Sequence, residues 1–299
     1  MLEDRIYTLY KSGISIDEIQ RMLGVDDQTY LNALKTIRAV YGFTSEYHDD
    51  GRVIYNPHAA NKISVHGDSF TAIFYSDLHS GNIKDWISYL ELVYGHAETE
   101  DIHILFNTGD VIENNYSVPE RRLRQKTVEG QIKHLLRHFP FNSSITNFIL
   151  FGNHDYHALT DQGIDVAARL EEERPDVVSL GYGEANVKVK NSIITLQHNL
   201  KNKKLAIPED ADIIFKGHSH KMKIDLRKDI PLINVPALSD ALPESYDYPP
   251  IPGFLEVTFT FTKDGRIDKV FIKEFNTEKN LRQVSECVLS LRKKIDKNN

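Results

Sequence analysis

Apolar residues recur at different periods along the chain, and the changes of period divide it into zones. Over residues 1 to about 43, Leu2, Ile6, Leu9 and Tyr10 repeat at helical spacing until Ser12-Gly13 interrupts them. Ser15 with Glu18 three residues on is a capping-box signature for a second helix. Ile16, Ile19, Met22 and Leu23 supply its expected buried face, and Gly24 closes it. Asp26 or Asp27 caps an expected third helix with Tyr30, Leu31, Leu34, Ile37 and Val40 turned inward. The arrangement over 1–45 resembles a helix-turn-helix module. Residues 46–68 carry no periodic signal and read as a linker.

From Ser69 the pattern becomes short apolar runs, bounded by turn residues and alternating with helical segments. Ser69–Ser76, Ile102–Asn107 and Ile145–Phe151 read as strands, and Lys84–Tyr94 and Arg121–Phe139 as the helices between them. Ala185–Gln197, Ala211–Lys216, Pro231–Val235, Phe254–Thr262 and Arg266–Phe275 follow as β structure. The last two flank the hairpin signal Lys263-Asp264-Gly265. Alternation of strands and helices followed by mostly β structure predicts an α/β sandwich of two sheets with outer helices over 69–276. Residues 277–299 read as a basic amphipathic helix, with Leu281, Val284, Val288, Leu291 and Ile295 in steps of three and four.

The polar residues that close the strands carry the chemistry. The first run ends in Asp77-Leu78-His79, the second in Gly109-Asp110, and the third in Gly152-Asn153-His154-Asp155. Two later strands end in Gln197-His198 and Gly217-His218-Ser219-His220. One Asp after a strand is ordinarily a turn or helix cap. Five strand exits that each present metal-ligand residue types, at the C-terminal ends where open α/β sheets place their sites, point to a shared centre.

Composition adds limits. No stretch approaches the roughly 18 apolar residues of a membrane helix, and Met1-Leu2-Glu3-Asp4-Arg5 lacks the layout of a secretory signal. Cys287 is the single cysteine, so no intrachain disulfide is available and a cytoplasmic setting is expected. The formal charge of −7 argues against a chain coated for nucleic acid, although carboxylates that bind dications contribute to it. The helical zone points the same way. Glu3, Asp4, Asp17, Glu18, Asp26 and Asp27 outnumber Arg5, Lys11, Arg21, Lys35 and Arg38, so DNA contact and protein docking both stay open for it.

The order Asp-x-His, Gly-Asp, Gly-Asn-His-Asp, His, Gly-His-x-His resembles the calcineurin-like metallophosphoesterase superfamily over roughly Phe70 to Phe275. The resemblance implies an αββα sandwich of two mixed sheets, with the small all-α domain in front. It also implies a phosphoesterase with two divalent ions, Mn first, with Fe, Zn or Mg compatible with the mixed N/O donors. Carried over, one ion would be held by Asp77, His79, Asp110 and His220. The other would be held by Asp110, Asn153, His198 and His218. His154 would protonate the leaving oxygen, and Glu113, three residues after Asp110, would orient His154. Asp155 would support its turn.

The resemblance is incomplete in places. Gly109-Asp110-Val111-Ile112-Glu113-Asn114-Asn115 lacks the Arg that protein phosphatases of the superfamily carry, which turns the expectation towards diesters. His198 is followed by Asn199 where many members have Gly. The wording Ser76-Asp77-Leu78-His79-Ser80-Gly81 is similar to the nuclease branch. Tyr246 and Tyr248, in a Pro-rich loop, could stack on a base or pack their own loop. A nuclease or other DNA- or RNA-processing enzyme is therefore the first expectation. A phosphodiesterase or phosphatase for small or cyclic nucleotides comes second, and a non-catalytic scaffold or DNA-binding regulator third. Protein partners or self-association would use the N-terminal helices or the C-terminal helix; no membrane is expected.

Overall fold

The computed structural model describes residues 2–12, 14, 16–26, 29–30, 32–33, 36–37, 45–51, 53–55, 62–115, 118–200, 205–241, 251–277 and 281–291. In chain order they form α1 (Leu2–Lys11), α2 (Ile16–Leu23), β1 (Ser45–His48), β2 (Val53–Tyr55), β3 (Lys62–Ser64) and β4 (Ser69–Tyr75). Next come α3 (Tyr89–Thr99), β5 (Ile104–Thr108), α4 (Val128–His138), β6 (Thr146–Phe151), α5 (Asn153–Gln162) and α6 (Val166–Glu173). The remainder is β7 (Val177–Tyr182), β8 (Glu184–Val189), β9 (Ser192–Gln197), β10 (Ile213–Lys216), β11 (Lys223–Arg227), β12 (Ile230–Asn234), β13 (Gly253–Phe261), β14 (Ile267–Asn276) and β15 (Arg282–Ser290).

β4 shows why its run is almost continuously apolar. Phe70, Ala72 and Phe74 pack into the core between two sheets, while Ile73 and Tyr75 pack into a second core under α3–α6. A strand covered on both faces leaves no position for water to select a polar residue. The sheets have the orders β15-β14-β13-β4-β5-β6-β7 and β11-β12-β10-β9-β8-β3-β1-β2. Between them Phe74 stacks on Phe215 at 3.8 Å and on Phe106 at 4.8 Å. The architecture is the expected sandwich of two mixed sheets with flanking helices.

Three expectations need correction. The segment read as a linker contains β1, β2 and β3, which extend the eight-stranded sheet through parallel β1–β3 and β3–β8 pairs. These strands are three or four residues long, too short for a period to register. The amphipathic helix expected over 277–299 is replaced by β15, antiparallel to β14. Cys287, Leu289 and Leu291 pack on the inter-sheet core in steps of two, and Val284 and Val288 are left about half exposed. That alternation prevails over the three-and-four spacing; Ile295 lies outside the described residues. Met22, expected inside, is 56% exposed, because Ile6, Ile19, Tyr30, Ala33 and Ile37 already close the small N-terminal core.

Around that core, Thr29, Tyr30, Asn32, Ala33, Thr36 and Ile37 are helical, and Asp26 Oδ1 accepts the Thr29 N–H at 2.7 Å. Tyr47 of β1 joins it to the sandwich, packing on both cores and edge-on to Phe148 at 5.0 Å. Leu31, Leu34 and Val40 lie outside the described residues. Among those described, no helix is long and apolar enough to cross a membrane.

A buried carboxylate fastens α3 to the sheet. Glu256 on β13 receives Lys273 Nζ at 2.7 Å on one oxygen and faces His96 Nε2 at 2.8 Å on the other. The His96 hydrogen bond, against burial and aided by Lys273, holds the Glu256 carboxyl below its ordinary 4.5. A depressed carboxyl contributes stability above the unfolded value and loses it as pH falls through the folded one. Glu256→Gln is expected to destabilise the fold by about 2 kcal/mol at pH 7. The difference from wild type should be smaller at an acid pH below the depressed folded value. Urea unfolding at both pH values would measure it; an equal deficit at both would refute the assignment.

Candidate metal centre

β4, β5 and β6 are mutually parallel, and in the other sheet β9 and β10 are parallel. Their C-terminal ends meet at one edge of the sandwich, so residues from both sheets face each other there. Asp77, His79, Asp110 and Asn153 come from one sheet, and His198, His218 and His220 from the other. The contact between them is direct. Asp77 Oδ2 accepts the His218 N–H at 3.1 Å and Asp77 Oδ1 stands 3.2 Å from His220 Nε2. Asp110 Oδ2 stands 3.0 Å from His198 Nε2, and Asn153 Oδ1 is 2.9 Å from His218 Nδ1. His79 Nε2 and His220 Nε2 converge to 3.3 Å.

Three groups of potential metal ligands result, Asp77–His79–His220, His79–Glu113–His154 and Asp110–His198–His218, with the ligand atoms of each group within 4.8 Å of one another. The donor atoms suit a cation. Asp77 Oδ1 and His198 Nε2 are buried and make no hydrogen bond, although an imidazole and a carboxylate stand near them. His198 Nδ1–H is held by the Thr108 carbonyl at 2.7 Å, which turns the Nε2 lone pair into the site. Carboxylate oxygens and imidazole nitrogens are the mixed set that binds first-row transition ions and Mg²⁺.

The charges inside are strongly coupled. Burial alone would push Asp77 and Asp110 up. The imidazoles of His220 and His79 around the first, and of His198 and His154 around the second, hold both carboxyls well below the usual range. Against burial, Glu113 and Asp77 raise His79, and Asp110 lifts His198 to about 9. His218 moves down through burial and the charge of His198.

The backbone is bent to make these approaches. Asp77, His79, Asp110, His218 and His220 have φ between +48° and +72°, a region that costs a non-glycine residue about 1–3 kcal/mol. At Gly152 a Cβ would lie 2.2 Å from Asp110 Oδ1, and at Gly109 (φ +116°) one would lie 2.3 Å from His198 Nδ1. Only glycine lets those chains pass.

Glu113 corrects the expectation made for it. Its carboxylate faces His79 Nδ1 at 2.9 Å, and only its backbone carbonyl accepts from His154 Nδ1. The carboxylate thus stands behind a candidate ligand, and the proton-donor candidate is oriented by main chain. Its carboxyl is lowered, against burial, chiefly by His79. His154 N–H donates to Asp110 Oδ1 at 2.9 Å, and the ring is partly exposed at the mouth of the site. Tyr246 and Tyr248 lie outside the described residues.

Asp155 braces its turn as expected, and two serines add supports that had no sequence signal. Asp155 accepts the N–H groups of Gly152, Ile112 and Val111 at 2.9–3.2 Å, tying the third motif to the second. Burial and the Asp110 charge push its carboxyl up to about 7. Ser76 Oγ donates to Asp77 Oδ2 at 2.5 Å, and Ser239 Oγ to the Asp77 carbonyl at 2.7 Å. A serine before an Asp, or far along the chain, is too common to stand out.

The family model for calcineurin-like phosphoesterases matches residues 70–222. No curated protein matches the chain. Among solved structures, a predicted phosphoesterase from Streptococcus pneumoniae TIGR4 is 14% identical, covering 75% of this chain and 99% of its own, with a TM-score of 0.41. Vps29 from Entamoeba histolytica, complexed with Zn²⁺, is 14% identical over 75% of this chain and 100% of its own, with a TM-score of 0.42. The phosphoesterase Yfce from E. coli is 17% identical over 75% and 100%, with a TM-score of 0.41.

Proposed function

The chain belongs to the calcineurin-like phosphoesterase family, and from that premise we propose that it hydrolyses phosphodiester bonds with two divalent ions, on nucleic acid. The observation that carries the reading is the pair of adjoining Asp/His groups built from both sheets. Asp77, His79, Asp110 and His220 would hold one ion, and Asp110, Asn153, His198 and His218 the other. Bound there, the ions would acidify a water and neutralise phosphate charge.

The chain's own residues supply the rest. His154, at the mouth of the site, donates a proton to the leaving oxygen. The Glu113 carbonyl fixes its Nδ1–H, and Nε2 lies on the side of the Asp/His groups, 4.0 Å from Asp110 Oδ2. The Glu113 carboxylate holds His79 in the ring orientation that its ligand role needs, the carboxylate–histidine arrangement found behind many metal ligands. Glu113→Gln is therefore expected to cost about 10–100-fold in activity at limiting metal. Excess Mn²⁺ should restore most of it. For His154→Asn, metal should restore nothing, and the loss should grow as the leaving group becomes more basic. Equal recovery of both variants with metal would sink the division of roles.

A polymeric substrate is supported by the rim. Backbone bonds from Ile83 to Arg122 and from Arg124 to Gly81 tie the Arg121–Arg124 turn to the loop that follows His79. Arg121 and Arg124 are exposed there, and Trp86 presents 43% of its surface with Nε1–H held by Asp240 at 3.0 Å. Cations for a phosphate backbone and an aromatic face for a base are what single-strand binding uses. Mn²⁺-dependent assays on labelled single- and double-stranded DNA and RNA, beside bis-p-nitrophenyl phosphate and cyclic nucleotides, test it. Turnover confined to the small esters would replace the nuclease reading with a small-nucleotide phosphodiesterase.

A further inference from the structure

A second cluster of metal-ligand side chains lies away from the site described above. His48 closes β1, Asp50 lies in the turn after it, and His66 follows β3, which pairs with β1 in parallel. One ligand atom from each of the three lies within 4.8 Å of the others. The two imidazole centroids lie 5.2 Å apart with ring planes 23° from parallel. His48 is buried, whereas Asp50 and His66 are exposed.

The neighbours of the cluster fix its shape. Asp49 Oδ1 stands 2.8 Å from His66 Nδ1, and the Asp49 carboxylate also accepts the His66 backbone N–H. A carboxylate behind Nδ1 orients the ring, as carboxylates do behind many ligand histidines. Asp49 N–H is bonded to the Ser64 carbonyl, and Gly51 N–H to that of His48, so the turn is braced from both sides. Gly51 (φ +79°) lies so close to Ser144 and His103 that a Cβ would fall 2.8 Å from the Ser144 carbonyl. Ser144 and His103 precede β6 and β5, whereas Asn153 and Asp110 follow them. The cluster therefore sits at the opposite end of the sandwich from the metal centre.

We propose that His48, Asp50 and His66, with Asp49 behind His66, form a separate site for one Zn²⁺-type transition ion. Two imidazoles and a carboxylate favour a borderline cation over Ca²⁺ or Mg²⁺, which take oxygen-rich shells. Because the site sits beside the turn that joins β1 to β2, the ion would clamp the strands connecting the N-terminal helices to the eight-stranded sheet.

The test uses the full chain, stripped with chelator and titrated with Co²⁺ as a spectroscopic probe. It compares Asp110→Ala, which damages the other site, with Asp110→Ala carrying His66→Ala or Asp50→Asn. The proposal expects each added substitution to remove one equivalent of tight Co²⁺ with its visible absorption. It also expects His66→Ala alone to leave turnover of a soluble diester within about 2-fold of wild type. Zn²⁺ should raise the Tm of Asp110→Ala and not of the double variants. Identical Co²⁺ uptake in Asp110→Ala and both double variants overturns the proposal, and because His66 and Asp50 are exposed, both should fold. The Co²⁺ and Tm readouts do not depend on the phosphoesterase assignment.

Discussion

Asp110→Ala should lower turnover by more than about 10³-fold, beyond the roughly 10–100-fold typical of residues that only support a metal ligand. The side chain has two duties. Oδ2 faces His198 Nε2 at 3.0 Å, and Oδ1 accepts the His154 backbone N–H at 2.9 Å. Removing it loses a proposed shared ligand and the anchor of the proton donor together. Asp110→Asn is the informative companion, since an amide oxygen can still accept from His154 but carries no charge. The expectation is that Asn retains the fold and the position of His154 yet recovers little activity, with metal content reduced in both variants. Turnover above a tenth of wild type in Asp110→Ala, at any metal concentration, would remove Asp110 from the centre.

Arg174→Ala should be the most destabilising single substitution away from that centre, at about 3–5 kcal/mol. Arg174 is 5% exposed and grips Asp176 with Nε and Nη2 at 2.8 and 2.6 Å. It also donates to the Phe139 and Pro140 carbonyls and lies over the Phe139 ring at 4.6 Å. Truncation strands a buried Asp176 carboxylate and two carbonyls beneath the chain that links α4 to β6. A paired change, Arg174→Met with Asp176→Leu, removes both charges and should cost less than Arg174→Ala alone. Denaturant unfolding of the three proteins measures this. A double variant less stable than Arg174→Ala would show that the pair contributes more than relief from desolvation.

The parts legible in the sequence share one physical property: their signal is local and repeated. β4, β5 and β6 are apolar on both faces, so their runs are continuous, and each ends at a polar group that the fold uses. The turn Lys263-Asp264-Gly265 could be read for the same reason, since Gly265 takes φ +77° where the β13–β14 hairpin reverses. The failures come from choices made across space. Val284 and Val288 satisfy a helical stripe as well as a strand, and only the free edge of β14 decides between them. The side chain of Glu113 had two histidines within reach, and its carboxylate stands against His79 Nδ1 at 2.9 Å. The helix expected from Lys84 begins instead at Tyr89. Asp85 is drawn into the Gly81 N–H at 2.9 Å, and Trp86 takes φ +40°, which no periodicity announces.

The left-handed backbone at Asp77, His79, Asp110, His218 and His220 has an evolutionary consequence. At each position a glycine would relax the main chain, and an asparagine would tolerate it better than most residues. A population selected only for thermal tolerance would therefore drift first towards losing these side chains, and would gain stability while doing so.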